Sequence, residues 1–372
     1  MIRVLHVIGA MDRGGAETLL MNLYRAIDRD QIQFDFMVHE DRPCDYDSEI
    51  EELGGKIFRV PRFTGLNALS YRRAFRGFFA EHREHAVVHG HIGSSAALYL
   101  SEAKKAGRFA IAHSHNLHFP LSPSEVAFRA ASYPTRFVAD FFLAASAQAG
   151  TDRFGQRFAS GGRGTVLANG IDLSLYTCDP LSHRESRRNL GLGTSPVVCH
   201  VGRLEDQKNH RFLLRTFALL KKEVGDAQLL LVGRGPLERE LRELAGELGI
   251  ADSVHFLGVR QDVPDILKAS DLFLFPSIVE GLGMAAVEAQ AAGLPCLLSD
   301  GVAAEAAATP LAEVIPLAAG PKHWARRGAQ ILRKRLPRND EVSAVQAHGF
   351  DVQDSASRLA HIYVRGTQRL GR

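Results

Sequence analysis

Four charged side chains in the second half of the sequence have types and spacings that could do chemistry together. Arg203 and Lys208 lie five residues apart in Gly202-Arg203-Leu204-Glu205-Asp206-Gln207-Lys208-Asn209, directly after the apolar run Pro196–Val201. An arginine grips phosphate oxygens with a planar fork and a lysine adds a point charge, so the pair suits one diphosphate. Glu280 and Glu288 lie eight apart around Gly281, Leu282 and Gly283. Carboxylates beside a phosphate repel it unless they hold something else, and sugar hydroxyls are their natural partners. The ligand these four residues imply is an anion with sugar hydroxyls on either side.

The elements that must position them are written in apolar runs and breakers. Leu272–Phe275, stopped by Pro276, reads as a buried parallel strand, and Ser277–Gly281 as its exit loop. Gly283–Ala292 is Ala-rich and ends at Gly293, which predicts a helix with a C-terminal glycine. Pro295–Leu298 is the next strand. A helix N-terminus carries unpaired N–H groups and partial positive charge, so it suits a phosphate, and Gly281 and Gly283 let an anion approach. His210–Val224 forms the helix behind the basic pair. Strand Ala227–Gly233, a helix to Leu248 and strand Ser253–Gly258, leaving at Val259 and Arg260, complete a second doubly wound pattern.

The acidic pair and its glycines resemble the E-x7-E signature of the retaining nucleotide-sugar glycosyltransferases of family 4, also called group 1. The Arg203–Lys208 spacing equals that family's R-x4-K, and Asn169-Gly170-Ile171-Asp172 matches the crossing between its domains. Leu282 departs from the pattern, which usually has an aromatic there. The resemblance implies an α/β fold of GT-B type, two Rossmann-like doubly wound domains facing across a cleft. Residues 1–169 would be the acceptor-side domain, 170–350 the nucleotide-sugar domain, and 351–372 a helix packing back on the first. It implies catalytic roles for His115, Arg203, Lys208 and Glu280. Donor contacts would come from Gly14, Gly15, Arg203, Lys208, Gly233, Val259, Arg260, Glu280, Gly281, Leu282, Gly283 and Glu288. Glu288 would hold the ribose, and Val259 and Arg260 the base. Neither metal nor cofactor is expected, because two cations and a helix end would meet the leaving-group charge.

The N-terminal half opens as strand Ile2–Ile8, a loop with Gly9, Gly14 and Gly15, and helix Ala16–Ile27. The glycine spacing is not G-x-G-x-x-G, so a nicotinamide dinucleotide is weakly supported. Gly14 and Gly15 would let a ligand approach the backbone, or would serve a turn of positive φ. Asp45-Tyr46-Asp47 spells D-x-D inside a polar stretch and reads as turn chemistry. Strand ends at Ala86–His91 and Arg108–Asn116 carry His89, His91, His113 and His115, where ligands of an open parallel sheet collect. Four imidazoles invite a metal, yet no carboxylate or cysteine completes the set. The segment His113-Ser114-His115-Asn116 resembles the family segment whose histidine faces the transferred sugar, which singles out His115.

A length of 372 residues fits two domains, and a net charge of +3 does not suggest a nucleic-acid partner. Cys44, Cys178, Cys199 and Cys296 form no C-x-x-C pair, and Cys199 and Cys296 read as buried thiols. No apolar run approaches the ~18 residues of a membrane span, so a cytoplasmic enzyme is expected. The basic, aromatic helix expected at 66–84 either packs its rings inward or lies on an anionic membrane at its inner face. Arg326, Arg327, Arg333, Lys334, Arg335 and Arg338 read as a solvated basic face. The expected partners are a nucleotide-sugar donor, of the UDP class, and a saccharide or lipid-linked acceptor, in synthesis of a cell-surface glycan. The alternatives are a nucleotide-sugar epimerase of the same architecture and a two-lobed binding protein.

Overall fold

Alternation along the first strand sends Val4 to one core and Leu5 and Val7 to another, on the opposite sheet face. In the computed structural model, which describes residues 1–115, 122–158, 160–334 and 338–370, this strand is β1 (Ile2–Val7). Asn116 and Arg335 lie outside the described residues. The elements after β1 are α1 (Gly15–Ala26), β2 (Ile32–Val38), α2 (Asp47–Glu52), β3 (Ile57–Arg59), α3 (Ala68–Glu81), β4 (His85–Gly90) and α4 (Ala96–Lys105). Then come β5 (Phe109–Ser114), α5 (Pro123–Ser132), α6 (Thr135–Val138), β6 (Phe141–Ala144), α7 (Ala147–Phe154) and β7 (Gly164–Val166).

The second series is α8 (Pro180–Asn189), β8 (Val197–Val201), α9 (His210–Val224), β9 (Gln228–Val232), α10 (Glu238–Glu247), β10 (Val254–Gly258), α11 (Val263–Ala269) and β11 (Leu272–Phe275). It continues with α12 (Met284–Ala291), β12 (Cys296–Leu298), β13 (Ala312–Val314), α13 (Gly320–Lys334) and α14 (Val342–Ala347), and the last helix is α15 (Val352–Leu370). Contacts gather the chain into two units, Met1–Ile171 with the segment from Asp351 on, and Asp172–Phe350.

Each unit is a parallel sheet with helices on both faces. The first sheet runs β3-β2-β1-β4-β5-β6-β7 and the second β10-β9-β8-β11-β12-β13. Strand order reverses between β1 and β4 in one and between β8 and β11 in the other. Those are the switch points, where loops at the carboxyl ends diverge and leave room for a ligand. α1 and α15 cover one face of the first sheet, with Leu359 and Tyr363 fully buried, and α3 and α4 cover the other.

The helix expected at 66–84 is α3, and its aromatic face is inside: Tyr71, Phe75 and Phe79 are core residues. Arg72 and Arg76 bind Glu102 on α4, so two of its cations are also structural. Leu66 and Leu69, 99% and 83% exposed, are what it leaves outward. In the D-x-D segment Tyr46 is buried, and Asp47 accepts from the Cys44 N–H and from Arg59. These are the bonds of a turn. The four cysteines are unpaired, and all but Cys44 are buried.

The expected basic face needs correction at Arg338, which is 6% exposed. Its guanidinium donates to the carbonyls of Leu267, Ser270 and Ala292, at the C-terminal ends of α11 and α12. A cation there answers orphan carbonyls and the negative helix ends at once. Arg338→Met would leave three carbonyls without partners, costing about 3 kcal/mol at roughly 1 kcal/mol each. The expected result is a calorimetric melting point lower by ~6–12 °C for a unit of this size; a shift under ~2 °C would show that the carbonyls find other partners.

Candidate active site

The basic and acidic pairs lie on the two loops that leave the switch point of the second sheet, after β8 and after β11. The loops are tied together. The Ile278 N–H donates to Gln207 O at 2.8 Å and Gln207 Nε2 to Val279 O at 2.9 Å. Lys208 Nζ meets Glu280 Oε1 at 2.6 Å, both side chains largely buried, and sits 4.9 Å from the centre of the Phe275 ring. Asn209 closes the basic loop with φ of 56°, the left-handed conformation that asparagine tolerates better than most residues. Arg203, by contrast, is exposed and pairs with Glu205 at 3.1 Å.

Gly283 is the N-cap of α12, with φ of 81°. A Cβ there would stand 3.0 Å from the Phe275 ring and 3.3 Å from Val302, so glycine is needed for both conformation and space. Gly281 and Leu282 are buried between the Glu280 contact and this cap. Glu288, inside α12, is partly exposed, yet protein surrounds its carboxyl closely enough that burial raises its pKa to about 7, with a hydrogen bond from Tyr176 offsetting part of the rise. Tyr176 is itself buried. It comes from the connection before α8, more than a hundred residues away in sequence, and no local pattern announces it.

Gly233 ends β9 with φ of 131°, and a Cβ there would lie 2.1 Å from Gly202 O. Its absence lets β9 close against the basic loop. Val259 is exposed after β10, and Arg260 pairs with Asp262. Arg260 also lines a separate cavity of about 420 Å³ with Arg187, Leu230 and His255, which none of the four charged residues line. The contacts therefore join Lys208 to Glu280 and place Arg203 on the same loop, but do not join Arg260 to them.

In the first unit, β1, β4 and β5 bring five histidines into one stack. His91 Nδ1 lies 2.8 Å from His115 Nε2, and His91 Nε2 lies 3.0 Å from His6 Nδ1. His89 meets the Tyr363 hydroxyl at 2.7 Å. Burial holds His115 at about 4 and His6 at about 3, and pushes His89, His91 and His113 well below the ordinary value. All five are neutral at pH 7, each with one donor and one acceptor nitrogen. Two triads, His6-His89-His91 and His91-His113-His115, offer ring nitrogens within 4.8 Å of one another, a histidine-only set. His6 was not foreseen, because one imidazole inside an apolar strand run looks like core.

His91, His113 and His115 line a cavity of about 310 Å³ with Gly9, Glu17, the start of α4 and Arg153. Gly15 caps nothing and has open space around it. Gly14 has an extended backbone, with the Glu17 carboxylate folded against it. Neither has positive φ, so the turn explanation for this pair fails and close backbone approach remains.

Comparison with known proteins identifies the family and the fold. Residues 182–319 match the profile described as glycosyl transferases group 1, and residues 13–175 that of Glycosyltransferase Family 4. The glycosyltransferase EpsF of Bacillus subtilis is 33% identical over 377 aligned residues, covering 99% of this chain and 97% of its own. A GDP-mannose-dependent phosphatidylinositol monomannoside mannosyltransferase of Mycobacterium tuberculosis is 28% identical over 68% of this chain and 67% of its own. Among solved structures, Anabaena HepE in complex with UDP and glucose superposes with a TM-score of 0.78 at 22% identity, over 97% of this chain and 99% of that one. The lipopolysaccharide glycosyltransferase WaaG does so with a TM-score of 0.70 at 17% identity, over 99% of each. The fold is thus that of the GT-B enzymes, and the chain belongs to the group 1, family 4 glycosyltransferases.

Proposed function

We propose that the chain moves a glycosyl group from a nucleotide sugar of the UDP class to a saccharide or lipid-linked acceptor, with retention, in the synthesis of a cell-surface glycan. The observation that carries this is the Lys208–Glu280 contact at the switch point of the second sheet. It brings a diphosphate cation and a hydroxyl-binding carboxylate to one place beside the N-terminus of α12. The UDP class follows HepE, whose structure holds UDP; the mycobacterial relative is GDP-mannose-dependent, and the donor screen separates the two classes.

In this scheme Arg203 and Lys208 face the diphosphate, Glu288 the ribose hydroxyls, and Glu280 and the neutral His115 the transferred sugar. The bond from the anomeric carbon to the diphosphate oxygen breaks. The acceptor hydroxyl oxygen joins that carbon on the same face, and its proton passes to the departing phosphate. Charge builds on that phosphate, so preorganised cations act mainly on the transition state. The leaving charge is met by side chains and a helix end, and the scheme needs no metal.

A melting screen across UDP-, GDP- and ADP-sugars, with and without a chelator, tests it. Only a ligand of the folded chain raises the midpoint, by an amount set by its concentration over Kd. UDP-sugars should raise it in both conditions. A rise with GDP-sugars alone would overturn the donor class, and a rise abolished by the chelator would overturn metal independence.

A further inference from the structure

Val4, Val87 and Ile111 point into the core under α1 and α15, so His6, His89 and His113, two residues further along each strand, share that face. Among the described residues, Nε2 of His6, Nε2 of His89, both nitrogens of His113 and Nδ1 of His115 have no hydrogen-bond partner. Buried polar groups are nearly always partnered, and orphans gathered in one place call for an occupant, a water or an ion. His113 lies among the others. It is 5% exposed, its ring centre 5.4 Å from that of His91 and 4.1 Å from that of His115. A neutral imidazole there has one N–H and one lone pair, and nothing meets either.

The donor set is that of a transition-metal ion. One nitrogen from each of His91, His113 and His115 lies within 4.8 Å of the other two. His91 Nδ1 and His115 Nε2, 2.8 Å apart, share one proton. Two imidazoles on a tetrahedral zinc stand about 3.3 Å apart, from Zn–N bonds of ~2.0–2.1 Å, so an ion can replace that proton with a movement of about half an ångström. His91 then carries its own proton on Nε2, 3.0 Å from His6 Nδ1, and this acceptor fixes the ring. His91 and His115 are only partly buried and line the cavity of about 310 Å³, which gives an ion its way in. Glu17 and Arg153 both line that cavity, so coordination by neutral nitrogens, and not net charge, must hold the ion.

We propose that His91, His113 and His115 bind one divalent transition-metal ion of the zinc class, and that the bound ion withdraws His115 from the transferred sugar and so inhibits transfer. Imidazole nitrogens suit zinc, cobalt and nickel, whereas magnesium takes oxygen ligands and keeps its waters. Three protein ligands leave a further position on the ion for water. The inhibition rests on the glycosyl-transfer reading; the ion site rests on the first unit alone.

The chain without a histidine tag, stripped with a chelator and desalted, is titrated with Zn²⁺, Co²⁺ and Mg²⁺. Zn²⁺ and Co²⁺ should bind one per chain and raise the melting midpoint, and Mg²⁺ should do neither. Bound Co²⁺ should absorb as a four-coordinate nitrogen site, without the thiolate band that binding at the partly exposed Cys44 would add. His113→Leu should weaken Zn²⁺ by at least about hundredfold, because loss of even an outer partner of a ligand costs ~10–100-fold. No binding of either ion leaves a water as the occupant and overturns the proposal; so does Zn²⁺ affinity unchanged in His113→Leu. Should that variant fold poorly, X-ray absorption at the zinc edge of the wild type decides. Three imidazole nitrogens at about 2.0 Å are expected, and fewer, or any sulfur, sinks the site. One equivalent of Zn²⁺ should also lower sugar transfer. Zinc bound at this site with transfer undiminished overturns the inhibition alone, while zinc binding in a chain that transfers no sugar counts against the glycosyl-transfer reading.

Discussion

Lys208→Ala lowers turnover by about two to three orders of magnitude, the loss seen when one preorganised group is removed from a developing charge. The lysine is held in place by Glu280 and the Phe275 ring, so its position is set before substrate arrives. The substitution strands the largely buried Glu280 carboxylate, and a melting curve must accompany the kinetics. Because Glu280 is itself proposed to bind hydroxyls, Lys208→Met, which keeps the apolar stem over Phe275, is the better control. In both variants the loss should fall on kcat at least as much as on KM, because the charge answered by Lys208 grows toward the transition state. A loss under about fivefold, with the fold intact, would remove Lys208 from the leaving-group site.

Glu288 predicts a pH dependence of both binding and stability. Burial raises its carboxyl from 4.5 to about 7. An ionised carboxylate accepts two ribose hydroxyls better than a protonated one, so nucleotide affinity should rise from pH 6 to pH 8 and level off above. Glu288→Gln should weaken nucleotide binding by about 10- to 100-fold, the worth of hydrogen bonds to a charged group, and flatten the profile. Without ligand the sign is opposite. The folded state holds the proton more tightly than the unfolded chain, so this group's contribution to stability is fully present below about 4.5 and is lost as pH rises through 7. Denaturation of the wild type and Glu288→Gln across pH 4–8 reads this as a difference in slope. Parallel slopes would mean that the Glu288 carboxyl titrates as an ordinary one.

Much of the fold was legible because strand and helix periods are local. The runs at Leu272–Phe275 and Pro196–Val201 read as buried strands and are β11 and β8, and the glycines at 283 and 293 stand where a left-handed backbone is required. The E-x7-E and R-x4-K spacings were legible for a related reason: each sits on one loop–helix step, whose geometry few residues can satisfy. The course of the Arg260 side chain was not legible in that way. Its side chain could go either way from the end of β10, and it turned to Asp262 and another cavity.

The sequence alone determined the strand–helix repeats of the two units and the four charged residues on their loops, since each follows from contacts within a few residues or one strand–helix step, and it carried the family as a resemblance of motifs. Only the tertiary structure decided that Lys208 is paired with Glu280, that Tyr176 sits on Glu288, and that five histidines stack. Those facts depend on which side chains share a desolvated volume. The strand order that brings distant loops together fixes that volume, and no spacing along the chain records it.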